Sequence, residues 1–254
     1  FSRPRDDWGN WFGCNNSYPL WHYVLHDHYL RRNPHVASPA PDINITEPEK
    51  HPQVFPASET IDRFNDYHTQ NRITSACGTG IYRDQLLGDD VYGDAFICEP
   101  VHNLVYRQKL TSEGYTFKAR RAEEETEREF LASTDHWFRP VTAKTGPDGA
   151  LYVVDMYRHV IEHPEWIPPE WEAKLDLRAG DDRGRIYRVV PRSGIPQPVP
   201  SLSKQSPDDW VAALQSSNGQ LRDMAHQLLV AAPELSPSTV ASLEKIALSG
   251  DRPA

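Results

Sequence analysis

Three short stretches of this 254-residue chain hold residue types that do chemistry at useful spacing. The first is Glu99-Pro100-Val101-His102-Asn103, an acid, an imidazole and an amide just after the apolar run Ala95–Cys98. His102 there suits a catalytic base or a group that orients a polar ligand, with Asn103 beside it for a substrate. The alternative is a histidine hydrogen-bonded into a structural contact. The second stretch is Asp135-His136-Trp137-Phe138-Arg139-Pro140. Arg139 can hold a carboxylate or a quinone with paired hydrogen bonds, and His136 can reach a substrate. Alternatively, Arg139 packs between the aromatics. The third follows the turn Gly146-Pro147-Asp148-Gly149, where a strand running to Met156 releases Asp155, Tyr157 and Arg158. These offer an acceptor, a hydroxyl and a cation to a ligand or metal. The competing reading is an ion pair that ties the loop to its neighbour.

Other groups invite a metal reading and are set aside. His22, His26 and His28 form an H-x-x-x-H-x-H run, but Trp21, Tyr23 and Tyr29 around them read as a packed aromatic loop. His159 and His163 are spaced i, i+4 with no third ligand evident. No metal residue is assigned. The run Arg120–Glu129 reads as a solvated loop or short helix. Trp8-Gly-Asn-Trp11 reads as packing. Cys14, Cys77 and Cys98 form no C-x-x-C pair. Cys77 and Cys98 are the best disulfide candidates, against three buried, reduced thiols.

These stretches need a scaffold, and the composition narrows it. The chain has 22 Pro against 14 Gly and is 38% hydrophobic, which favours loops and short strands over long helices. A net charge of −9 argues against nucleic acid as a partner. No apolar run approaches the ~18–20 residues of a membrane span. Strand patterns fall at Asn10–Cys14, Thr74–Tyr82, Ala95–Cys98, Asn103–Arg107, Tyr115–Ala119, Thr142–Lys144, Leu151–Met156 and Arg185–Val190. The pieces 73–119 and 137–190 share a loose layout that predicts propeller blades of about 45 residues, with a helical insertion near Glu170–Leu177. Residues 192–200 read as a Pro-rich linker. Ser206-Pro207 and Ser236-Pro237 are helix starts, and residues 201–254 predict the first HEAT-like repeats. The organisation expected is therefore a mainly β, partial β-propeller over 1–191, the linker, and helical repeats after it.

The motifs DDWGNWFGCNNSYPLWHYVLHDHYLRRNPHV, TSACGTGIYRDQLLG, AFICEPVHNLVYR, EFLASTDHWFRPV, GPDGALYVVDMYRHVIEHPEWIP and GDDRGRIYRVVP together resemble the planctomycete-type membrane-bound dehydrogenase family, whose propeller is similar to that of the soluble quinoprotein glucose dehydrogenases. The resemblance implies an internal piece of an exported or periplasmic oxidoreductase acting on a sugar or alcohol. It also implies pyrroloquinoline quinone and calcium as cofactors. Electrons would pass to a haem c domain, or another redox partner, outside this chain. No haem-attachment motif occurs here. The rival expectation is a non-catalytic module that binds glycans or partner proteins, and it predicts an exposed aromatic platform.

Overall fold

The structure is a computed structural model that describes residues 2–48, 51–59 and 71–249. Its strands form three antiparallel sheets. The first joins β1 (Trp11–Gly13), β2 (Trp21–Tyr23) and β3 (Asp42–Asn44) in sequence order. Phe12, His22 and Ile43 align across it and face inward, while Trp11, Tyr23 and Asp42 share the outer face.

The second sheet is a five-stranded meander. It contains β4 (Cys77–Ile81), β5 (Ala95–Glu99), β6 (Leu104–Glu113) and β7 (Thr116–Arg121), with β8 (Leu131–Ala132) paired to the start of β6. The sequence of β5, Ala-Phe-Ile-Cys-Glu, is buried at every position, as a central strand covered on both faces must be. Phe12, Leu20, Ile45, Ile73, Ile97, Leu104 and Tyr106 form one core with it. Each large apolar side chain removed from water there contributes about 1.5–3 kcal/mol. Packing is close enough that a Cβ at Gly78 would overlap the Val141 carbonyl. Gly78 also sits at φ +56°, so glycine is required on both counts.

The third sheet has the order β11 (Arg185–Val189), β10 (Leu151–Asp155), β9 (Pro140–Thr145). Its central strand β10 alternates buried and half-buried residues, as its period-2 sequence requires. Among the described residues there are also five short α-helices: α1 (Asp27–Leu30), α2 (Pro169–Glu172), α3 (Pro207–Ala213), α4 (Gly219–Ala231) and α5 (Pro237–Ser249).

The described chain divides into two compact units. One holds residues 1–82, 93–144 and 152–188; the other holds 83–92, 145–151 and 189–254. In the second unit, α3 packs on α4 and α5 over Leu202, Leu221 and Ala225. Two helix starts are built as the sequence predicts: Ser206 and Asp209 form a reciprocal capping box on α3, and Ser236 Oγ accepts the Thr239 N–H. Asn218, not singled out as a cap in the sequence, caps α4.

The expected propeller followed by HEAT-like repeats is corrected by this architecture. The similar layouts of 73–119 and 137–190 do not give equal blades: the first forms β4 to β7, the second only β9 to β11. Local pattern specified the strands but not which strands pair. The helices fail as repeats because α3 is seven residues long and α5 buries none of its large apolar residues fully: Leu243 and Ile246 are half-buried, Val240 is exposed, and Leu248 is 85% exposed. The helical insertion is four residues, Pro169–Glu172.

Two smaller readings are also revised. Trp8 and Trp11 are exposed rather than packed inside. The Arg120–Glu129 run is not simply solvated, since Glu125 and Glu129 turn inward and are buried.

Candidate functional site

All seven residues singled out for chemistry lie in three segments of the first unit: 99–103, 135–139 and 155–159. The chain approaches these segments under strain. Asn103 has φ +57° and Tyr157 has φ +50°, a left-handed conformation that side chains with a Cβ seldom adopt.

β5 ends in Glu99, which has no exposed surface. One carboxylate oxygen, Oε2, accepts the backbone N–H of Ser75 at 2.9 Å and of Thr74 at 3.3 Å. The other, Oε1, accepts from Nδ1 of His102 at 3.2 Å. A carboxylate held this way fixes the ring orientation and leaves Nε2 as the basic nitrogen. Nε2 has no hydrogen-bond partner among the described residues. Asn103 is fully engaged: its Nδ2 donates to the carbonyls of Phe138 at 2.6 Å and His136 at 3.1 Å, and its Oδ1 accepts from Ser58 Oγ at 2.8 Å. His136 therefore enters the cluster through its carbonyl.

Arg139 immediately precedes β9 and is buried. Its guanidinium donates to backbone carbonyls of Pro100 at 2.8 Å, Arg158 at 2.9 Å and His159 at 2.9 Å. Desolvation pulls its pKa down to about 10, against the opposing pull of Asp155 and Asp135. Asp155 Oδ1 accepts the backbone N–H groups of Arg139 and Tyr157, each at 2.8 Å. Its buried Oδ2 has no hydrogen bond, and Arg185 Nε lies 3.8 Å away. Arg158 donates to the Gly180 carbonyl. The Arg185 guanidinium covers the Tyr157 ring at 3.7 Å, and the Tyr157 hydroxyl is pushed up by its hydrogen bond to Asp135.

This donor set does not fit the quinone and calcium that the resemblance implies. The guanidiniums of Arg139 and Arg158 are directed at backbone carbonyls, and Asp155 already accepts two backbone N–H groups through one oxygen. No group of three or more His, Cys, Asp or Glu side chains among the described residues is placed to hold a metal ion. His22 instead packs against Phe12 and Phe117 with Nδ1 on Thr116 Oγ1 at 3.0 Å, and burial pulls its pKa down. His159 stacks on Trp137, and His163 accepts the Glu165 N–H. What the cluster can do chemically is move a proton at His102 Nε2.

Sequence reasoning did not single out Ser58 or Arg185. Ser58 lies in a Pro-rich loop 45 positions from Asn103, and no local pattern points to it. Glu99 was legible as an acid three residues before His102.

Residues 1–193 match the family described as a domain of unknown function, DUF7133, and the chain belongs to that family. No curated protein matches the chain. No solved structure matches it either. No helix among the described residues is long and apolar enough to cross a membrane.

Proposed function

We propose that this chain supplies the proton-abstracting site of an exported oxidoreductase that acts on a hydroxyl-bearing substrate, a sugar or an alcohol. The observation that carries this reading is the buried Glu99–His102 pair with its open Nε2. In the proposed step, Nε2 takes the substrate hydroxyl proton, and Glu99 stabilises the imidazolium that forms. Arg139 and Asp155 act as positioning residues: they hold the segments 99–103 and 155–159 against β9. The hydride on the substrate carbon, with its two electrons, passes to a hydride acceptor outside this set of residues, which a cytochrome c domain or redox partner beyond this chain would reoxidise. The sequence motifs quoted above support the substrate class.

The test is a dye-linked assay of the full-length protein on a panel of sugars and alcohols, with and without added pyrroloquinoline quinone and Ca²⁺. Substrate-dependent dye reduction is expected, with a kcat/KM that rises with pH as a base loses its proton. Glu99→Gln should lower kcat/KM, because the ring loses the carboxylate that orients it. Absence of reduction with every substrate and addition would overturn the reading.

One observation favours a second reading, glycan binding without catalysis. The outer face of the first sheet sets Arg5, Trp11, Tyr23 and Asp42 in one cross-strand row, and the Arg3 guanidinium lies 4.7 Å from the Tyr23 ring centroid. Aromatic faces with polar rims suit sugar rings. Retention on a glycan array that is lost in Trp11→Ala would establish this second reading.

A further inference from the structure

The antiparallel register of β4 and β5 sets Cys77 directly opposite Cys98. Directly opposed residues project from the same face with Cβ atoms about 4.5–5.5 Å apart. A disulfide needs Cα atoms roughly 4.4–6.8 Å apart and Cβ atoms roughly 3.5–4.5 Å apart, so a register pair closes with a small approach of its two Cβ atoms. The register shifts between Cys77 and Gly80, so the pairing is irregular just after Cys77. A third thiol, Cys14, belongs to the core that takes Ala95 and Ile97 of β5, and donates toward the Ala76 carbonyl at 3.7 Å, while Cys77 Sγ donates toward the Pro140 carbonyl at 3.9 Å. All three are free thiols in this structure.

We infer that Cys77 and Cys98 are an oxidisable cross-strand pair that closes to a disulfide when the protein folds in an oxidising compartment. The position gives the bond a consequence. Glu99 follows Cys98 directly, and the Thr74 and Ser75 N–H groups that hold its carboxylate lie just ahead of Cys77. The bond ties both halves of the Glu99 cradle together, whether or not Glu99 serves in catalysis. The chemistry balances with a small-molecule disulfide as oxidant. The Cys77 thiolate attacks one sulfur of the oxidant and releases one thiol. The Cys98 thiolate then attacks the mixed disulfide and releases the second. Two protein thiols are oxidised and one disulfide is reduced to two thiols. Burial pushes the Cys77 thiol up to about 12 and the Cys98 thiol up as well, so the bond closes during folding rather than afterwards.

The experiment refolds the full chain in a mixture of oxidised and reduced glutathione, blocks remaining thiols and digests with trypsin. Cleavage at Arg83 separates the two cysteines into different peptides. The expected product is a linked Cys77–Cys98 pair with Cys14 blocked. It should also form in Cys14→Ser, and Tm should exceed that of the reduced chain by roughly 5–10 °C. Three fully blocked cysteines after refolding would overturn the inference, and so would a bond running to Cys14. The linkage readout in the Cys14→Ser chain does not depend on whether Cys77 or Cys98 variants fold.

Discussion

Arg107 and Arg139 are both buried, and they are neutralised in opposite ways. Arg107, on β6, meets carboxylates: Asp94 at 2.7 Å, Glu124 at 3.0 Å and Glu125 at 3.2 Å. On β7, Arg121 does the same with Glu129 at 3.0 Å. Arg139 meets backbone carbonyls instead. The first region is a closed charge network that staples the charged loop after β7 to the sheet. The second uses one cation to gather the turns that present His102. An arginine at a candidate site is therefore not evidence for an anionic ligand. What sets the second region apart is His102, hydrogen-bonded to one carboxylate at Nδ1 and without a hydrogen-bond partner at Nε2 among the described residues.

The largest effect that would break this comparison belongs to Arg139→Met. Removing the guanidinium leaves the Pro100, Arg158 and His159 carbonyls without their donor, and should cost about 3–5 kcal/mol in chemical denaturation. A loss below about 1 kcal/mol would mean the guanidinium is free for a ligand after all.

Arg107→Met should cost roughly 3 kcal/mol at neutral pH, because it strands Glu125 and leaves Asp94 with Lys109 in place of two partners. The two losses should differ in pH dependence. Stranded carboxyls can take up protons, so the Arg107→Met loss should shrink on acidification while the Arg139→Met loss stays level between pH 5 and pH 8.

The wild-type chain should show a weaker version of that dependence. Desolvation raises Asp94 above its ordinary 3.8, and raises Glu125 and Glu129 above their ordinary 4.5. The folded state thus binds protons more readily than the unfolded state. These groups lower stability as pH rises from those ordinary values through the raised ones. Glu125→Gln should flatten that slope in denaturant titrations run at several pH values; an unchanged slope would remove Glu125 as its source.

The smallest effect lies in the helical unit. Ser206→Ala removes the α3 capping box and should cost about 1 kcal/mol, read from the thermal midpoint. Its loss should not alter either arginine region.

Much of this was readable in advance wherever the cause is local. The alternation in Leu151–Met156 gave β10, and Ser206-Pro207 gave the start of α3. The three chemical stretches converge because each sits at the end or start of a strand. Non-local facts were not readable. Period-2 patterns do not say which strands pair, so the propeller expectation fell to three sheets of unequal size. Every residue has a carbonyl, so nothing in the sequence could announce that Arg139 would be satisfied by backbone. The charged run hid two inward-facing acids four residues apart, Glu125 and Glu129: the partner of Glu125, Arg107, lies outside the run on β6, and nothing in the run marks which of its acids pairs with Arg121.

The central claim is that His102 alone among the converging residues does chemistry, and the most direct test is turnover of His102→Gln in the full-length protein, with thermal unfolding measured in parallel. The account predicts a loss of substrate-dependent dye reduction of about 100-fold or more at a nearly unchanged midpoint. Turnover equal to wild type at the same midpoint would contradict it, and would leave the Glu99–His102 pair as a structural contact.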